Sequence, residues 1–177
     1  HADVEERDID LAAVVDDSLR MIRTHSRVAG CQLELSESKS LPMTGFPTLI
    51  THAVVNLVLN AAEALDGTGQ IHVRLRDTDD HVIIEVHDDG PGVPVDQREQ
   101  IRQPYHTERG DGTGLGLFAV DYCAEVHGGK FDIDDSAKLG GALMRLDFPV
   151  DLPKGHDAPS LVSDSEPYDE ARAVKPA

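Results

Sequence analysis

Apolar residues recur along this chain at two different periods, and each change of period marks a new element. From Asp10, a residue type suited to an N-cap, Leu11, Val14, Val15, Leu19 and Ile22 follow at helical spacing, so an amphipathic helix starts here with Gly30 as its candidate stop. Cys31, Leu33 and Leu35 then alternate with Gln32 and Glu34, the pattern of a half-buried strand. A serine-rich loop and a short segment over 41–44 lead to Gly45-Phe46-Pro47, where Pro47 suits a first helical turn. The next helix carries the apolar stripe Val54, Leu57, Ala61 and Ala64 and stops at Asp66-Gly67-Thr68-Gly69.

Strict alternation returns over 71–76, with Ile71, Val73 and Leu75 inward, and over 81–87, with Val82, Ile84 and Val86 inward. The polar turn Asp77-Thr78-Asp79-Asp80 joins them, so an antiparallel hairpin is expected. Residues 95–102 read as a short helix that Pro104 ends. A longer helix over 113–127 buries Leu117, Val120, Cys123 and Ala124 and stops at Gly128 or Gly129. Closing strands are expected over 130–134 and 142–148, the second with Ala142, Met144, Leu146 and Phe148 inward. Strands and helices interleave without the alternation of a doubly wound sheet. The expected fold class is therefore α+β, a two-layer sandwich with helices on one face of a mixed, mainly antiparallel sheet. No internal repeat suggests a solenoid.

Composition narrows the function classes. A net charge of −17 over 177 residues argues against a nucleic-acid surface, which needs basic patches. Two cysteines, Cys31 and Cys123, fit a reduced cytoplasmic protein better than a disulfide scaffold. No apolar run approaches the ~20 residues that cross a bilayer, and no signal peptide opens the chain. No membrane contact by this segment is expected, while a membrane-anchored parent protein stays open. Residues 151–177, rich in proline, serine and acids, read as an acidic, mostly disordered tail.

Three stretches carry candidate chemistry. Asn56, Asn60 and Glu63 form a second stripe, at i, i+4 and i+7, on the helix with the apolar stripe. Asparagine is a mediocre helix former and costly to bury unpaired, so a hydrated magnesium ion with a polyphosphate would account for the pair. A solvated polar face is the other reading. Asp88-Asp89-Gly90-Pro91-Gly92 leaves a strand directly, although Asp-Gly alone is a common turn. Gly110-Asp111-Gly112-Thr113-Gly114-Leu115-Gly116 runs straight into a helix, where backbone N–H groups and the positive helix end can cradle phosphate oxygens. No Gly-Lys-Ser/Thr follows, so it is not a Walker loop; a glycine-rich linker is the bland alternative.

Together these stretches resemble the boxes of the ATP-binding catalytic domain of sensor histidine kinases, a Bergerat-type fold shared with type II topoisomerases, certain heat-shock chaperones and mismatch-repair ATPases. Residues 56–61 resemble the N box, 88–92 and 112–117 the two glycine boxes, and 103–109 a divergent F box. The resemblance implies that residues 9–150 bind Mg-ATP, with 1–8 a linker or the remnant of a dimerisation helix. It makes Asn60 the magnesium ligand, Asn56 its support, and Asp88 the acceptor for the adenine amine, with Gly90 and Gly92 letting the base approach. Gly112, Thr113, Gly114, Leu115, Gly116 and Leu117 would surround the phosphates, Thr107 and Arg109 would reach them from the lid, and Asn56, Asn60 and Arg109 would form the catalytic set. Departures are present as well. Glu63 lies where several relatives place a base facing the phosphates, Tyr105 and His106 replace the usual phenylalanines, and Leu143 occupies a region where a threonine often orients adenine.

Hydrolases of that superfamily place a glutamate where this chain has Asn56, and an amide takes no proton near neutral pH. Transfer of the γ-phosphate to histidine is therefore expected over hydrolysis. None of the nine histidines lies in the family's acceptor context, so the acceptor is expected on a separate dimerisation domain or chain, and the isolated domain as a monomer. A response regulator or phosphotransfer protein would act downstream. Two alternatives are a degenerate binding module that docks such a partner and a non-kinase ATPase.

Overall fold

The computed structural model describes residues 5–36, 39–105 and 114–152. In chain order it forms β1 (Arg7–Asp10), α1 (Leu11–Ile22), β2 (Gln32–Leu35), β3 (Pro42–Gly45), α2 (Pro47–Ala64), β4 (Gln70–Asp77), β5 (His81–Asp88), a 3-10 turn (Gln100–Arg102), α3 (Gly116–Val126), β6 (Lys130–Asp135) and β7 (Ala142–Pro149). One sheet has five strands in the order β2-β4-β5-β7-β6, and β1 pairs with β3 in a separate two-stranded ribbon. Only β2 and β4 run parallel; the other pairs in the large sheet are antiparallel. The expected α+β sandwich with a mixed, mainly antiparallel sheet is the fold observed.

Each boundary has a local cause. One carboxylate oxygen, Oδ1 of Asp10, accepts from Ala12 N–H at 3.0 Å, capping α1, and from Leu41 N–H at 2.9 Å, tying that cap to the approach to β3. The Leu41 contact is the largest cause holding the Asp10 carboxyl below its usual range. α1 ends at Ile22 rather than near Gly30. Beyond it Arg23, Thr24, Ser26 and Arg27 offer no apolar stripe, and consecutive turns run to Cys31 around the buried Val28. Residues 95–102 do not form the expected helix either, since only Ile101 packs on the core; Arg98 instead clamps the segment to Asp134 and Asp135. Arg7 and Asp8, expected within a linker or helix remnant, belong to β1.

The inward faces of β4, β5, β6 and β7, with Ile71, Val73, Ile84, Phe131, Leu146 and Phe148, join the buried faces of all three helices in one hydrophobic cluster. His72, Arg74 and Arg76, Glu85 and His87, and Leu143 and Arg145 alternate with them and lie on the opposite face, which among the described residues carries no helix. Among the described residues no helix is long and apolar enough to cross a membrane.

Candidate functional site

α2 crosses the cleft from one glycine stretch to the other. Midway along the helix Asn56 meets the start of α3: a Cβ built on Gly116 would lie 3.6 Å from Asn56 Oδ1. Toward its C-terminal end, a Cβ built on Gly90 would lie 3.7 Å from Ala64 Cβ. Val54, Leu57 and Ala61 are buried, whereas Asn56, Asn60 and Glu63 are half-buried on the other stripe.

β7 connects the two polar anchors. Asp88, at the end of β5, is 3% exposed, and its Oδ1 accepts from Gly90 N–H at 2.9 Å and Ala142 N–H at 3.0 Å. Both bonds fall on one oxygen, so among the described residues Oδ2 keeps its acceptor capacity. Burial pushes this carboxyl up, opposed by the Ala142 and Gly90 donors. Asn60 donates from Nδ2 to Met144 Sδ at 3.5 Å. A thioether sulfur only accepts, which fixes the amide nitrogen on that side and leaves Oδ1 for another partner. Ala142 and Met144 are successive inward positions of β7, roughly 7 Å apart, so the acid and the amide are held side by side along one strand.

Close approach explains the glycines here. A Cβ on Gly141 would lie 2.3 Å from Asp88 Oδ1 and 2.5 Å from Gly90 N, so only glycine lets β7 begin this near the acid. Gly92 adopts φ 77°, a left-handed conformation that carries the turn away from the strand.

Among the other expected site residues, Leu115 is the N-cap of α3 and makes no side-chain cap bond, so the first N–H groups of that helix have no side-chain cap. Leu117 is buried in the core, so only its backbone can serve the cleft. Glu63 is paired with Arg27, in the turns after α1. Thr107, Arg109, Gly112 and Thr113 lie outside the described residues, as does His106. The ends of that segment meet, because Tyr105 N–H donates to Gly114 C=O at 3.0 Å.

Leu143 corrects an expectation: it lies opposite His87 in the strand register, on the helix-free face, and does not face the cleft. Its inward neighbours Ala142 and Met144 contact the anchors, together with Gly141. The signal for them was the Gly140-Gly141 pair directly before an alternating strand.

Comparison with known proteins gives a consistent picture. Residues 45–152 match the model for histidine kinase-, DNA gyrase B- and HSP90-like ATPases. The sensor histidine kinase ZraS of Escherichia coli O157:H7 is 34% identical over 145 residues, covering 81% of this chain and 31% of that protein. Nitrogen regulation protein NtrY of Azorhizobium caulinodans is 35% identical over 113 residues, covering 60% of this chain and 15% of NtrY. This chain thus spans about a third or less of those relatives. Among solved structures, the catalytic domain of histidine kinase ThkA superposes with a TM-score of 0.73 at 25% identity, covering 83% of this chain and 99% of that one. The mycobacterial sensor histidine kinase MprB superposes with a TM-score of 0.72 at 26% identity, covering 84% and 100%.

Proposed function

Since the chain belongs to the histidine kinase-, DNA gyrase B- and HSP90-like ATPase family, we propose that it binds Mg-ATP and passes the γ-phosphate to a histidine on a separate dimerisation domain or chain. The observation that carries this reading is that neighbouring inward positions of β7, Ala142 and Met144, hold Asp88 through Oδ1 and Asn60 through Nδ2, which leaves Asp88 Oδ2 and Asn60 Oδ1 for a ligand. Oδ2 accepts from the exocyclic amine of adenine, and the carbonyl that guanine presents there meets lone-pair repulsion. Gly90 and Gly92 admit the flat base beside the strand end. The opening N–H groups of α3 face phosphate oxygens, with Asn56 alongside.

Asn60 Oδ1 is a hard, neutral oxygen of the kind magnesium accepts, with waters and phosphate oxygens completing the shell and Asn56 supporting it. Held there by Asn60 with the support of Asn56, a magnesium ion would supply neutralisation of phosphate charge. Asn56 takes no proton, so the chain offers no base there to activate water; a neutral imidazole needs none. Thr107 and Arg109 are assigned to the phosphates and Arg109 to the transfer step, with Gly112, Thr113, Gly114, Leu115, Gly116 and Leu117 contributing backbone around them. Residues 9–150 make up the catalytic domain in this reading. Unpaired Cys31 and Cys123 fit a cytoplasmic setting, and a response regulator or phosphotransfer protein would take the phosphoryl group onward.

The test is transfer of labelled γ-phosphate to a supplied histidine-bearing dimerisation fragment. Asn60→Ala is expected to cut labelling about a hundredfold or more, with the fold intact by circular dichroism. Equal labelling by parent, Asn60→Ala and Asp88→Asn would discard the site.

A further inference from the structure

The helix-free face of the sheet carries a polar cluster for which the proposed reaction has no use. His72 and His87 are cross-strand partners, 8% and 7% exposed, with ring centroids 6.0 Å apart. Residues 136–141, which join β6 to β7, supply contacts to both. Lys138 Nζ lies 3.0 Å from His72 Nε2, and Ser36 Oγ lies 2.9 Å from the same nitrogen. An ammonium group only donates, so His72 Nε2 accepts and its proton sits on Nδ1. Ser136 Oγ accepts from Leu139 N–H at 3.0 Å and lies 3.0 Å from His87 Nδ1, free to donate to it. That arrangement leaves the His87 proton on Nε2.

Nδ1 of His72 is buried without a hydrogen-bond partner among the described residues, and Nε2 of His87 faces only the Glu85 carboxylate at 3.7 Å, beyond hydrogen-bond reach. An orphaned buried donor costs about 1–3 kcal/mol, so packing alone gives no reason for two side by side. Burial is the largest influence keeping each ring neutral. Lys138 and Arg74 act the same way on both, and His87 acts so on His72; Glu34 opposes them at His72 and Glu85 at His87.

The same loop ends against the nucleotide acid. Ser136 N–H donates to Gly141 C=O at 2.8 Å, and Gly140 N–H donates to Ser136 C=O at 2.7 Å. Gly141 N–H then donates to Asp88 C=O at 3.1 Å, and Ala142 N–H to Asp88 Oδ1 at 3.0 Å. A short chain of contacts therefore runs from the outer-face histidines, through one tight loop, to the carboxylate assigned to adenine.

Resting on that nucleotide-site reading, we propose that His72 and His87 are positioning residues: while neutral they pin residues 136–141 through Lys138 and Ser136 so that Gly141 and Ala142 hold Asp88, and protonation of the pair loosens the loop and weakens the adenine contact. A proton from solvent on His72 Nε2 sets a donor against the Lys138 ammonium, and that bond is lost. The new cation also stands beside Arg74 and, once both rings charge, beside a second imidazolium. Nucleotide affinity is then full at neutral pH and falls as the pH drops through the acid range.

The double variant His72→Gln and His87→Asn tests this, since each amide reproduces the bonding nitrogen's position without titrating. ADP affinity is measured by calorimetry for parent and variant at about pH 7.5 and about pH 5.5, and the Gly141 and Ala142 amide shifts are followed without nucleotide over the same range. Comparing two proteins on one ligand cancels titration of the phosphates. The parent is expected to lose about fivefold more affinity than the variant, and its two amides to titrate where those of the variant stay still. Lys138→Met, at an exposed position, removes the pinning contact without touching either ring; it is expected to weaken binding at neutral pH and flatten the profile. Parallel profiles in parent and both variants, or amides that do not move in the parent, overturn the coupling even where nucleotide binds. A folded parent that binds no nucleotide at neutral pH sinks the cleft reading, and this inference with it.

Discussion

In the proposed reading Asp88 divides its carboxylate between structure and recognition. Oδ1 holds the Gly90 turn and the start of β7, while Oδ2 is left for a donor. Asp88→Asn keeps an acceptor for the two backbone donors but sets an NH2 group against the adenine amine. ADP affinity is expected to fall about tenfold to a hundredfold by calorimetry, with little change in melting temperature. Gly141→Ala probes the same acid from behind, because its Cβ would lie 2.3 Å from Asp88 Oδ1. Both thermal stability and ADP affinity are expected to drop, and an alanine variant that binds as well as the parent would show that β7 need not start so close. Asn56 and Asn60 stood out in the sequence because polar residues at helical spacing inside an apolar run break a pattern, and Asp88 because it ends an alternating strand at a glycine turn. Met144 and Ala142 were legible only as core positions: what they do for Asn60 and Asp88 depends on which strand end meets which helix. Leu143 was misjudged by one residue of strand parity, enough to send a side chain to the other face.

α2 owes its placement partly to a residue with no part in the site. His127, fully buried just beyond α3, accepts from Phe46 N–H at 3.0 Å through Nε2, while its Nδ1 lies 2.7 Å from Cys123 C=O and carries the proton. The end of α3 is thereby fastened to the start of α2, which has no side-chain cap of its own. His127→Leu would leave Phe46 N–H buried without an acceptor, at a cost of about 1–3 kcal/mol. The urea midpoint should fall with an unchanged slope, and ADP binding should weaken only as far as α2 shifts. An unaltered midpoint would mean that Phe46 N–H finds another partner. Elements with a long apolar period were readable in advance: the hairpin β4–β5, β7, α2 and α3. β1 was not, because Arg7, Asp8 and Asp10 surround one apolar residue, Ile9, and its pairing with β3 joins segments 30 residues or more apart, as in Ile9 opposite Met43. The helix expected over 95–102 failed for the complementary reason. Its polar sequence can form a helix, but no apolar stripe pays for docking one.

On the scale of the whole molecule, three buried histidines act in the same direction. His72, His87 and His127 are each held toward the neutral form, chiefly by burial. A group whose folded pKa is lowered binds fewer protons in the folded state than in the unfolded chain. Stability is therefore full above the unfolded histidine pKa of about 6.5 and declines as pH falls below it, until the folded rings themselves take up protons. Each histidine that titrates only on unfolding adds about 1.4 kcal/mol per pH unit to that decline. Asp88, raised by burial, has the opposite sign and works against that decline wherever the two titrations overlap. Urea midpoints measured from about pH 7.5 to about pH 5.5 should fall steadily, and the His72→Gln and His87→Asn double variant should show a shallower decline, since His127 alone then remains of the three. A stability profile flat across this window in the parent would mean that the folded rings are not held below the ordinary histidine range. If the double variant instead declines as steeply as the parent, His127 or another group carries the acid sensitivity and the outer-face pair contributes nothing to it.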